Sequence, residues 1–293
     1  MEPKIYSPSE VEKYVACPMK WALSKAGWYP NNFGYGEVTA AIGTGIHRGA
    51  YEVHKALMTN NHSILPDLRE MAIQSGLEAS KTDIRRYLDN GCYPIERVED
   101  WEQRIDTQVP NGISAYIEKY PLDRACNIIG AEESFEIERG QEGYRGKIDL
   151  IIEENGKNAV ADLKTKQPFK SVWYKDVFIN SFQWSWQMYH YTWIARQELE
   201  GTFEKFYLVM IELKPKPVVT MHSFAVQEQY MSQWLHTVKP IWRQMEQIEL
   251  GNEVPGISNN HYAYGQRCSY YRACLDFKLD ENLMRSEYVK LEI

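Results

Sequence analysis

At 293 residues, 44% hydrophobic and 13% aromatic, the chain can bury a large core and reads as a globular protein, not a disordered one. No run approaches the ~18 apolar residues of a membrane-spanning helix, and the opening MEPKIYSPSE holds no apolar signal region, so a cytoplasmic protein with no membrane partner is expected. The formal charge of −7 would repel phosphate, which argues against a protein that passively coats nucleic acid but not against one that meets it through local basic groups and metal ions.

Ser7-Pro8-Ser9-Glu10 combines an N-cap serine, proline at the first helical position and glutamate at the third, a capping box that opens a short helix toward Cys17. Pro18 is expected to perturb or end it. After a loop rich in Gly, Pro and Asn (28–36), a helix is expected over 39–58, carrying His47. Gly43 and Gly45 precede it without the Gly-Lys-Ser/Thr of a phosphate loop. Helical periodicity over 66–88 and 98–119, broken by Asn-Gly-Cys-Tyr-Pro, suggests a helical insertion or cap at about 60–120. Strands are expected at 127–138, 144–153 and 158–166, then a helix around 178–198, strands near 204–213 and 217–225, and a helix near 227–249. With no repeats, low-complexity tracts or evident linkers, a single α/β domain over 1–293 is expected.

The stretch YRGKIDLIIEENGKNAVADLKTKQP is the most informative. Asn155-Gly156 between apolar runs signals a type I′ hairpin turn. Counting outward pairs Glu154 with Lys157, Ile151 with Val160 and Asp149 with Asp162. Two carboxylates facing each other across strands repel by a few tenths to about 1 kcal/mol unless a cation lies between them. Lys164 shares the face of Asp162, and Lys147 that of Asp149, so the hairpin gathers carboxylates and an ammonium at one spot. Hard oxygen ligands suit Mg²⁺ or Mn²⁺, which polarise phosphoryl oxygens and activate water, with a lysine to orient or deprotonate that water. The plainer reading is a charged hairpin facing solvent.

In the helix around 178–198, Gln187 and Tyr191 fall four apart on one face, with Gln183 a turn earlier. Such a pair could bond a phosphate or a catalytic carboxylate, although packing is the commoner role. Trp184, Trp186, Tyr189 and Trp193 could stack on bases, but most are expected in the core. The five cysteines, an odd number, do not suggest a disulfide framework. Cys17 near the start, with His261, Cys268 and Cys274 near the end, could supply four ligands to zinc or an iron–sulfur cluster, joining the chain's two ends. Buried free thiols are the commoner reading, and Cys92 and Cys126 keep it.

The order His47, Gly146-Lys-Ile-Asp149, Asp162-Leu-Lys164 and Gln187-x-x-x-Tyr191, after SPSEVEKYVACPMKWAL, resembles the PD-(D/E)XK nuclease superfamily, in particular its RecB-like branch. The resemblance runs from Ser7 to Cys274 and is weakest over 60–120. It implies a restriction-endonuclease-like α/β core, a central mixed β-sheet flanked by helices, with a helical insertion. His47, Asp149, Asp162 and the Leu163 carbonyl would be metal ligands, Lys164 the catalytic lysine, and Gln187 with Tyr191 the trailing motif that orients the site and contacts DNA.

Iron–sulfur members of that branch hold a [4Fe–4S] cluster with one N-terminal and three C-terminal cysteines. This chain departs from them at one position, where His261 stands seven residues before Cys268. A [4Fe–4S] cluster is the first reading, and a Cys₃His zinc site or an empty site the alternatives. The expected activity is Mg²⁺- or Mn²⁺-dependent hydrolysis of DNA, first as an exonuclease on single-stranded ends in recombination, repair or phage DNA metabolism. A helicase, recombinase or single-strand-binding protein is a possible partner. The alternatives are a catalytically inactive DNA-binding or scaffolding module and a zinc-stabilised structural protein.

Overall fold

Ile5–Tyr6 (β1) leads into Pro8–Ala16 (α1), and both halves of the capping box form: the Ser7 amide donates to Glu10 Oε2 at 2.8 Å and the Glu10 amide to the Ser7 hydroxyl at 3.4 Å. Pro18 does more than end that helix. It occupies the first turn of Pro18–Lys25 (α2), where a missing N–H costs nothing, and Cys17 closes α1 while capping α2. The computed structural model describes residues 5–30, 32–33, 35–59, 65–94, 98–119, 126–139, 142–256, 262–263, 266–276 and 279–290.

Trp28–Pro30 (β2) and Asn32–Phe33 (β3) precede three long helices, Tyr35–Met58 (α3), Leu65–Asp89 (α4) and, after Tyr93–Pro94 (β4), Val98–Glu118 (α5). Gly45 sets how closely α3 approaches α4. A Cβ there would stand 2.5 Å from the Gly76 carbonyl oxygen, so α3 and α4 cross at backbone contact. The sheet strands are Cys126–Arg139 (β5), Glu142–Glu154 (β6), Lys157–Lys166 (β7), Phe203–Glu212 (β8) and Val218–Ala225 (β9). With β1 they form a six-stranded mixed sheet in the order β1-β6-β7-β8-β9, β5 lying along β6. This is the restriction-endonuclease-like α/β arrangement. Among the described residues, no helix is long and apolar enough to cross a membrane.

The turn forms as its sequence dictates, with Asn155 and Gly156 at φ 53° and 74°, and Glu154 pairs Lys157 while Ile151 pairs Val160. The ladder stops at Leu150–Ala161, one residue short of the aspartates. Farther along the same edge of β6, β1 pairs with Gly143 and Tyr144. Residues 145–149 thus form a notch between two strand partners. Side chains of β8 alternate across the sheet: Phe206, Leu208 and Met210 enter the core beneath α1 and the helices at 186–198 and 228–249, while Val209 and Ile211 enter that beneath α3 and α5.

The helix expected around 178–198 is three elements: Val172–Ser181 (α6), a 3₁₀ turn at Phe182–Trp184, and Trp186–Glu198 (α7). Ser185 turns extended (φ −67°, ψ 121°) and its hydroxyl accepts the Met188 amide, which starts a new helix and takes Gln183 off the stripe of Gln187 and Tyr191. Glu228–Glu249 (α8) matches the expected last long helix. Short elements close the chain: Tyr262–Ala263 (β10), Gln266–Arg267 (β11), Tyr271–Leu275 (α9), Glu281–Met284 (α10) and Tyr288–Lys290 (β12). The last pairs antiparallel with β2, and the Tyr270 hydroxyl donates to the Trp28 carbonyl at 2.6 Å, so the C-terminal segment is tied to the first helices.

Candidate active site

The notch in β6 is where the charged residues meet. Beyond Leu150 the two strands separate, and the Leu163 amide donates 2.8 Å to Asp149 Oδ2. Asp162, 1% exposed, lies under Lys164, whose Nζ stands 2.9 and 2.8 Å from its two carboxylate oxygens. Lys164 also donates to Gln187 Oε1 at 3.0 Å, and Gln187 Nε2 to the Tyr191 hydroxyl at 3.0 Å. Gln187 and Tyr191 thereby act as one unit on α7 holding the ammonium in place. That helix covers the notch: His190 Nε2 donates to the Arg145 carbonyl at 2.9 Å, and a Cβ on Gly146 would meet the Tyr191 ring at 3.1 Å.

From the opposite side α3 presents His47, with Nδ1 3.5 Å from Asp149 Oδ2. Burial disfavours its imidazolium, but the Asp149 and Asp162 carboxylates outweigh burial and raise its pKa above the ordinary value. Asp149 is held below the usual carboxylate range: burial works against this, and His47, Lys164 and the Leu163 amide overcome it. Asp162 goes the other way, pushed up by burial, with Asp149 adding to the rise and Lys164 opposing it. Burial would lower Lys164, yet the two aspartates raise it, so it stands as an ammonium.

Glu132 was not singled out by the sequence. It sits on β5 between Ala131, paired with Leu150, and Glu133, paired with Ile148, and so lies abreast of Asp149. Its backbone is left-handed (φ 54°), a conformation uncommon for a non-glycine residue. Ligand atoms of His47, Glu132 and Asp149 lie within 4.8 Å of one another. Counting from the Arg139–Glu142 pair, as from Asn155-Gly156, would have found it. Lys147, expected on the same face as Asp149, lines the cleft with it and forms an ion pair with Glu132. His54 is buried and bonded to the Tyr116 hydroxyl at 2.6 Å, and Glu52 pairs with Arg48 at 2.6 Å.

The donor set of three carboxylates and one imidazole suits a hard divalent cation. Asp162 Oδ2 is buried with the Lys164 ammonium 2.8 Å away as an ion-pair partner but accepts no hydrogen bond, which leaves it a lone pair for a metal. A cleft of about 780 Å³ opens onto the site, lined by Thr44, His47, Arg48, Lys147, Asp149 and Thr165 among others.

The second predicted site is partly in view. Cys17, Cys268 and Cys274 share a cluster with Trp28, Tyr270 and Tyr288. Burial and the neighbouring sulfurs of Cys17 and Cys268 push the Cys274 thiol up to about 11. His261 lies outside the described residues, as does the Cys126 side chain; Cys92 is buried, its thiol directed at the Pro30 carbonyl. Trp193 and Tyr189 are core residues as expected, whereas Trp184 is 49% exposed.

No curated protein sequence is significantly similar to this chain. The fold is similar to that of a candidate exonuclease from Eubacterium rectale, with a TM-score of 0.53 and 14% identity over 91% of this chain and 87% of that one. A structure of SSO0001 aligns over 84% and 87% of the two chains at 14% identity, with a TM-score of 0.33. The family model of the PD-(D/E)XK nuclease superfamily matches residues 5–275, nearly the whole chain, and the chain belongs to that superfamily.

Proposed function

We propose that this nuclease is a Mg²⁺- or Mn²⁺-dependent deoxyribonuclease that works as an exonuclease on single-stranded ends. The observation carrying the proposal is the Lys164 ammonium held 2.8–3.0 Å from Asp162 and Gln187, beside the His47, Glu132 and Asp149 donors. His47, Asp149, Asp162 and the Leu163 carbonyl would hold the cation, with Glu132 added to that set. A divalent ion so held polarises a phosphoryl oxygen and lowers the pKa of water. Lys164 orients the attacking water and offsets charge developing on the phosphate. Gln187, tied to Tyr191, keeps that ammonium aimed.

The exonuclease reading draws on the name of the Eubacterium rectale relative and on the α3–α4 wall of the cleft, beneath which a strand end could thread. We take residues 1–293 as one nuclease domain, with the α4–α5 region at about 60–120 as an insertion and a Cys/His segment at about 255–277. Recombination, repair or phage DNA metabolism in the cytoplasm would suit such an enzyme, beside a helicase, recombinase or single-strand-binding protein. At the second site Cys17, Cys268 and Cys274, with His261, would hold [4Fe–4S], or zinc in its place. A brown colour after anaerobic purification supports the cluster; colourless protein containing zinc supports the alternative.

The test of the activity is cleavage of end-labelled linear and circular single strands, and of duplex, with Mg²⁺ or Mn²⁺. Metal-dependent loss of linear single strands, abolished in Lys164→Ala, is expected. Cleavage of circles would make the enzyme an endonuclease. An inactive wild type would leave a binding module.

A further inference from the structure

The helix α6 is ten residues long and buries none of them completely. Val172, Trp173, Tyr174 and Val177 are 75%, 65%, 53% and 47% exposed, and Trp184, just beyond, is 49% exposed. Isolated exposed apolar residues are ordinary; five within thirteen positions form a patch that points to a partner. The Trp173 and Tyr174 rings meet edge to face, 5.0 Å between centroids, standing together as a rigid pair.

The patch is fixed relative to the candidate active site. Asp162, Lys164 and Lys166 alternate onto one face of β7, and the Lys166 ammonium lies 4.4 Å above the Phe178 ring of α6. Tyr174 lies four residues before Phe178 on α6, about one turn away or roughly 6 Å along the axis. At its other flank α6 is pinned by the buried carboxylate of Glu212, which takes the Phe169 amide at 3.2 Å and Lys175 Nζ at 3.3 Å. Tyr174 therefore shares the α6 face that meets Lys166, two residues along β7 from Lys164, and Trp173 stands against Tyr174.

Between residues 164 and 186 there are four lysines against the single Asp176; Lys164 and Lys175 are engaged by Asp162 and Glu212, which leaves Lys166 and the exposed Lys170 as the positive groups flanking α6. Rings interleaved with ammonium groups match single-stranded nucleic acid, whose bases offer faces for stacking and whose phosphates offer charge. A duplex offers only its phosphates, since its bases are already stacked.

We propose that Trp173 and Tyr174, with Lys170, form a stacking platform that holds the bases of a single DNA strand a few nucleotides from the scissile bond. This rests on the nuclease reading above and specifies how the substrate is held. The platform would make single strands preferred over duplex while leaving base sequence unread.

The test is the binding of a fluorescently labelled oligothymidylate, followed by anisotropy in EDTA so that no hydrolysis intervenes. Trp173→Ala and Tyr174→Ala are each expected to weaken binding about tenfold, and Trp173→Phe to retain most of it. The salt dependence should keep its slope in Trp173→Ala and lose about one unit in Lys170→Ala. Both rings are exposed, so thermal melting of the variants should match wild type. Wild-type affinity in the double alanine variant overturns the proposal, as does a wild type that fails to bind the oligonucleotide. A wild-type dimer that the double variant dissolves also overturns it, because the patch is then a contact between copies. None of these outcomes decides the nuclease reading, which stands or falls on metal-dependent cleavage by wild type and its loss in Lys164→Ala.

Discussion

Lys164 answers to three neighbours at once, and its removal separates chemistry from binding. If Lys164 offsets developing charge as proposed, Lys164→Ala should lower kcat by about a hundredfold or more with little change in DNA affinity. Single-turnover cleavage beside an equilibrium titration checks this. Glu132 makes a second test, because no sequence motif includes it. If it belongs to the cation's ligand set, Glu132→Gln should weaken Mn²⁺ binding about tenfold, read by isothermal calorimetry, without changing the fold. Glu10, away from the ligands, carries the pH argument. Burial would raise its pKa, but Lys25, the Ser7 amide and Arg145 hold it down at about 2. A carboxylate lowered on folding stabilises fully above its unfolded value near 4.5, and that contribution disappears as pH falls toward 2. Glu10→Gln should therefore lose on the order of 1–2 kcal/mol at neutral pH and show a flatter acid limb in urea titrations between pH 4.5 and 2.

Among the elements, the crossing of α3 on α4 positions His47, and it depends on a missing side chain. Gly45→Ala places a Cβ against the Gly76 carbonyl and the Ser80 hydroxyl, so the gain in helix propensity should be outweighed by a net loss of about 2 kcal/mol in chemical denaturation. The hairpin and the capping box were legible because each is written in a few adjacent residues with fixed backbone demands: Asn155-Gly156 sets the register, and Ser7 with Glu10 the first helix. The break at Ser185 was not legible, since the apolar pattern of 178–198 runs on and only a hydroxyl accepting the Met188 amide marks the new start. The opposed aspartates were read in correct order but in too regular a sheet. Strand count alone cannot show that β6 and β7 part at Leu150, which lets Asp149 take a backbone amide and frees the space beside it. Glu132 escaped notice for a related reason, being brought abreast of Asp149 by a third strand.

Over the whole molecule, the site is assembled from distant stretches: α3 supplies His47, three strands the carboxylates and the lysine, and α7 the Gln187–Tyr191 brace. The same economy joins the ends, where β2 pairs with β12 and three cysteines gather under Tyr270. If those sulfurs hold a cluster or zinc, Cys274→Ala should lower Tm by about 10 °C or more and release the bound metal, whereas free thiols would cost only a few degrees. The central claim remains the cation between the strands, and an anomalous difference map from crystals soaked in Mn²⁺ tests it most directly. A Mn²⁺ peak within bonding distance of His47, Asp149 and Asp162, absent in Asp149→Asn crystals, is the predicted result; a map with no peak there, or a peak that survives the substitution unchanged, contradicts it.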